Sequence, residues 1–257
     1  MAKLTKKSYQ RKAMVLGGVI FASCALFATG FAAFVVSSSA TSGVGGGISV
    51  GTISDKAITI TSKLSTDKII FDALKDDNTG RVRWDGKNSA NLTTTVSGTF
   101  TPSSYVNQFS VNLRMGTVGA DGKTITFDKE AETRMQNAAT NKYIVLPTCF
   151  GEGNEQKLSF GSPNLTEDKS KDTATFNYEI SFAWGEHFKG QNPSVFYDTE
   201  EAKTSYPNEG EKSYLADLKA FYKTMTGVDA PSDAEAGSIP VQNFVVVLNA
   251  DTSGTRS

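Results

Sequence analysis

The sequence predicts an all-β protein, a β-sandwich or jelly roll with helical and loop insertions, set behind an N-terminal signal or membrane helix. Three observations carry this. Several segments alternate apolar and polar residues with a period of two, the pattern of half-buried strands. Thr, Val, Phe and Tyr, which suit a pleated surface, are concentrated in those segments. The first 36 residues run from basic to apolar, the pattern of an export signal.

Lys3, Lys6, Lys7, Arg11 and Lys12 precede an apolar run over residues 14–36. Positive charge stays on the cytoplasmic side, so the remainder is expected outside. The run is long enough to span a bilayer, which takes ~20 apolar residues. A retained anchor is therefore one expectation. The small residues Ala32 and Ala33, next to helix-weakening Gly30, suit a signal peptidase and favour cleavage there. The expected organisation is a leader over 1–33, a Gly/Ser-rich segment over 34–54, one β domain over 55–250, and a disordered tail over 251–257.

Within the domain, residues 57–62 (AITITS), 91–100 (NLTTTVSGTF), 106–115 (VNQFSVNLRM) and 173–184 (TATFNYEISFAW) read as strands. Residues 241–248 (VQNFVVVL) are apolar enough to be buried on both faces. Asp121-Gly122 is a tight-hairpin signal. Two segments change period. Residues 128–140 read as a polar helix started by Asp128. Residues 211–226 read as an amphipathic helix, with Tyr214, Leu215, Leu218, Phe221, Tyr222 and Met225 on one face and Gly227 to stop it. Residues 152–171 and 191–210 are polar and turn-rich and read as loops.

Charge and cysteine content narrow the function. The whole chain carries a formal charge of −1. Removing the leader's five basic residues from 26, against 27 acidic ones, leaves about −6. An acidic surface opposes nucleic-acid binding. After cleavage only Cys149 remains, which excludes an internal disulfide and a cysteine metal site. A disulfide-free exported protein suits a Gram-positive cell.

Candidate chemistry is sparse. His187 is the one histidine in the chain. A metalloprotease zinc needs two histidines on a helix with a glutamate base between them, so His187 reads as a loop residue at a strand end. Asp76, Asp77, Asn78 and Asp85 lack a calcium-loop spacing and read as a solvated turn. Trp84 and Trp184 read as buried strand-end residues rather than a sugar platform. The 211–226 stripe reads as core, and Cys149 as a small apolar residue. No catalytic residue, metal site or cofactor is expected.

The N-terminal motif, Gly30-Phe31-Ala32-Ala33-Phe34 followed by a polar stretch and Ile48-Ser49-Val50-Gly51-Thr52-Ile53, resembles the start of the TasA/camelysin family. That family comprises exported Gram-positive proteins with a dedicated signal peptidase. The resemblance covers about 25 residues, beyond which only length and strand content agree. It departs from the family at Val35-Val36, where Asp or Asn is usual. The resemblance implies a jelly roll and a fibre-forming component of the biofilm matrix. On that basis Phe34, Val35, Val36, Ile48, Val50 and Ile53 are the expected donor segment. An extended strand of this kind completes a neighbour's sheet through main-chain hydrogen bonds. The implied partners are other copies of the chain, the signal peptidase, and matrix or cell-surface proteins. Rival expectations are a monomeric surface-binding module acting through loops near residues 184–197, and a camelysin-like surface protease.

Overall fold

The period-of-two segments fold as strands, and their alternate residues meet in a shared core. The computed structural model describes residues 34–35, 48–54, 58–73, 81–82, 90–119 and 124–252. In chain order the elements begin with β1 (Phe34–Val35), β2 (Ile48–Ser54), β3 (Thr59–Leu64), β4 (Thr93–Thr101), β5 (Gln108–Val118) and β6 (Ile125–Phe127). Helix α1 (Lys129–Thr140) follows, then β7 (Ile144–Val145), β8 (Gln156–Leu158), β9 (Leu165–Asp168), β10 (Thr173–Ser181) and β11 (Ala183–Trp184). The chain continues through α2 (Pro193–Phe196), α3 (Glu200–Ser205), α4 (Tyr214–Thr226) and β12 (Phe244–Asp251).

The protein is sheet-rich. The first sheet has the order β1-β2-β12-β5-β6, with β8 also paired to β5. The second has the order β3-β4-β10-β9, and β7 with β11 forms a short ribbon. Strand β12 is central to the first sheet, antiparallel to β5 and parallel to β2. Phe244 to Leu248 are all buried, as expected for a strand covered on both faces. The two larger sheets meet through stacked rings. Phe109 of β5 lies 4.8 Å from both Phe100 of β4 and Phe176 of β10. Strands β3 and β4 approach so closely that a Cβ on Gly98 would fall 1.9 Å from the Thr61 carbonyl oxygen.

Both expected long helices form, and each starts at its cap. Asp128 accepts from the Ala131 amide, and Ser213 accepts from the Ala216 amide, so the second helix begins at Tyr214 rather than 211. Gly227 ends it with φ +82°. Helix α1 packs against α4.

Elsewhere the structure departs from the expected loops. Residues 191–210 hold α2 and α3, started by Asn192 and Thr199 caps. Residues 152–171 hold β8 and β9. Strand β12 runs to Asp251, one residue into the expected tail. Strands β5 and β6 pair antiparallel, with Val118 opposite Ile125. Asp121, Gly122, the leader with Ala32 and Ala33, Val36, Asp76, Asp77, Asn78, Trp84, Asp85 and residues 253–257 lie outside the described residues. Among those described, no helix is long and apolar enough to cross a membrane.

Candidate functional site

Two places concentrate the candidate residues: the N-terminal strands, and a partly buried polar cluster beside α4. In the first, Ile48 and Val50 are buried in the core of their own chain. Strand β2 pairs with β12 along its full length, from Ile48 opposite Phe244 to Ser54 opposite Ala250. Its first amide, Ile48, also donates to the Asp67 carbonyl at 2.6 Å. Phe34 and Val35 lie antiparallel to Ser54 and Ile53 on the outer side of β2. The expected donor segment is thus divided. Residues 48–54 form a strand of the same chain's sheet, and Phe34 and Val35 sit on its outer edge. Alternation alone could not reveal this, because β2 finds its partner nearly the whole domain away.

The second place is built around Asp217, in the first turn of α4. That end of a helix favours a negative charge. Nε2 of His187 lies 2.6 Å from Asp217 Oδ2, and the Tyr197 hydroxyl donates to the same oxygen. His187 follows β11, where Gly185 allows the chain to pass against Lys142. A Cβ there would lie 2.0 Å from the Lys142 carbonyl oxygen. The imidazole is walled by rings, with Tyr143 at 4.6 Å, Phe188 at 4.8 Å, Tyr206 at 6.1 Å and Phe196 at 6.4 Å between centroids.

Burial dominates the electrostatics here. It raises the Tyr197 phenol far above its ordinary value, and the Asp217 charge adds to the effect. Tyr143 is pushed up to about 12 by burial first and by Asp217 second. Arg81 secures the outside of the cluster. Its guanidinium donates to the Tyr206 carbonyl at 2.5 Å and to Asn208 Oδ1 at 2.9 Å, and lies 4.3 Å from the Tyr214 ring centroid.

The pair His187–Asp217 has the orienting half of a hydrolytic triad. Its third member is a tyrosine on the carboxylate side, and among the described residues no serine, threonine or cysteine bonds to the imidazole. The arrangement binds elements together: a loop, α2 and α4 converge on one carboxylate. Among the described residues no three His, Cys, Asp or Glu side chains are grouped to hold a metal. Trp184 is buried, its ring 5.9 Å from Phe188, so it offers no sugar platform. Cys149 is buried and its thiol is raised to about 11, chiefly by burial, which keeps it protonated and unreactive.

Asp217 and Tyr197 are not among the residues expected from the sequence. One signal was present: Asp217 lies within the helix stripe that Tyr214, Leu218 and Phe221 define, where a charge needs a partner. No protein-family model, curated protein or solved structure matches the chain.

Proposed function

We propose that the chain is an exported, non-catalytic structural protein of a Gram-positive cell, a jelly-roll subunit that assembles into extracellular filaments through its N-terminal segment. The supporting observation is the edge of the first sheet. Strand β2 has β12 along one side, while on the other β1 meets only Ile53 and Ser54. Among the described residues, positions 49–52 have a strand partner on one side only. Unpaired main-chain groups of this kind are a template for an extended segment from another copy. The donor is then the apolar start at Phe34, Val35 and Val36, and Ile48 and Val50 belong to the acceptor. The β1–β2 contact is the same pairing made within one copy. A head-to-tail contact between copies does not close on itself, so it propagates as a filament.

The test is negative-stain electron microscopy of two purified chains, one beginning at Phe34 and one at Gly47, which retains all of β2. Filaments from the first alone are expected. Filaments from both would remove the donor role from Phe34–Val36, and filaments from neither would overturn homopolymeric assembly.

A further inference from the structure

Among the described residues the second sheet turns one face to the core and the other outward, and the outward face is built of threonine in register. Thr61, Thr99, Thr175 and Thr166 are direct cross-strand neighbours, one from each of β3, β4, β10 and β9. Beside this row, Thr59 faces Thr101, whose hydroxyl oxygen lies 2.6 Å from that of Thr173. Thr61 and Thr99 make the same kind of bond at 2.8 Å. Hydroxyls already bonded to one another lose less on leaving water than free ones. Rows of paired hydroxyls and methyl groups therefore suit a dry contact.

Among the described residues of these strands, the exposed charges flanking the threonine rows differ in sign from one side to the other. Lys63 lies on the edge strand β3 and Glu179 on β10, while Asp168 on the opposite edge strand β9 is already paired with Lys171 of its own chain at 3.0 Å. Lys63 and Glu179 are both exposed.

We propose that this threonine face is a self-association surface, on which two copies pack sheet to sheet about a two-fold axis running along the strands. Such an axis exchanges the two edges. It brings Lys63 of one copy toward Glu179 of the other, and seats neutral threonine rows on neutral threonine rows. No other operator is needed to satisfy the charges, and an isologous contact requires a face complementary to itself in this way. Aligned sheet packing is the geometry that accommodates it. Four strands ~4.8 Å apart and up to ~30 Å long present roughly 500 Å² per copy. A stable pair buries about 800 Å² per partner. The contact is therefore weak and reversible between single copies. It gains strength wherever copies are held in arrays. The surface stands on this sheet alone and does not depend on filament growth from the N-terminal segment.

Sedimentation velocity over a concentration series tests it, using the chain beginning at Gly47, which keeps the whole second sheet and lacks the donor residues Phe34–Val36. Reversible dimers are expected. Thr175→Lys, and Thr99→Lys with Thr175→Lys, set like charges against each other and should weaken dimerisation more than tenfold. Circular dichroism checks that the fold is kept, and the exposed single substitution stands if the double variant does not fold. Lys63→Glu should weaken it about three- to fivefold, and adding Glu179→Lys should restore it. A chain that stays monomeric throughout, dimers indifferent to Thr175→Lys, or failure of the charge exchange to restore them would each overturn the proposal. Electron microscopy of the same substitutions in the chain beginning at Phe34 reads filament growth separately, so the two proposals fail by different results.

Discussion

Asp217 is one carboxylate shared by a histidine, a phenol and the start of a helix, and it is nearly buried. Removing its charge leaves two donors around a weaker acceptor. Asp217→Asn should cost about 1–3 kcal/mol, read as a lower urea midpoint at unchanged slope. An unchanged midpoint would mean that the cluster contributes nothing to folding. The neighbouring phenols make a second prediction, with a definite sign. Burial raises Tyr197 and Tyr143 in the folded chain, while in the unfolded chain both titrate near 10. The unfolded state therefore loses protons first as pH rises. The stability these groups contribute is intact below pH ~10 and declines above it. The phenolate absorbance that Tyr143→Phe with Tyr197→Phe removes, which separates these two rings from the exposed Tyr105, should appear in step with loss of the folded circular dichroism signal. That absorbance forming well before unfolding would contradict the burial of these rings.

At the scale of elements, α1 is tied to the first sheet by one buried ion pair. Arg114 Nε on β5 lies 2.8 Å from Glu132 Oε2 on α1, with both side chains under a tenth exposed. The other Glu132 oxygen accepts the Glu152 amide at 3.1 Å, so the carboxylate also holds the loop after β7. Arg114→Ala leaves that charge buried and should cost about 3–5 kcal/mol. Arg114→Met with Glu132→Leu should recover most of the loss, because the pair's desolvation penalty goes with it. Urea unfolding of the two variants reads both values, and a double variant no more stable than the single would contradict this. The elements that sequence reading recovered carry their cause locally. Strands β4, β5 and β10 alternate over long runs, and α1 and α4 combine an amphipathic stripe with a cap. Those it missed depend on distant partners. Helices α2 and α3 are one turn or little more, too short to show a period, and stand on Phe196 and Ala202 buried against other elements. Strands β8 and β9 exist because β5 and β10 offer them edges. The His187–Asp217 contact joins positions that no local pattern relates.

For the whole molecule, the decisive fact is that the centre of the first sheet is made by residues 244–251, the last strand among the described residues. Strand β12, the last strand, lies between β2 and β5 and bonds both along its length. The sheet cannot form its centre until residues 244–251 are available. Non-local pairing of this kind slows folding. The opposite end behaves differently, since β1 adds only two residue pairs at the outer edge of β2. A chain beginning at Gly47 should therefore match the chain beginning at Phe34 to within ~0.5 kcal/mol, the range of changes that touch no core feature. A chain ending at Asn243 should show no cooperative unfolding transition and should be digested rapidly by protease. Equal stability on removing 34–46 would show that the N-terminal segment is kept for something other than folding, as a donor role requires. A large loss would instead make that segment part of the fold, unavailable to another copy without unfolding its own.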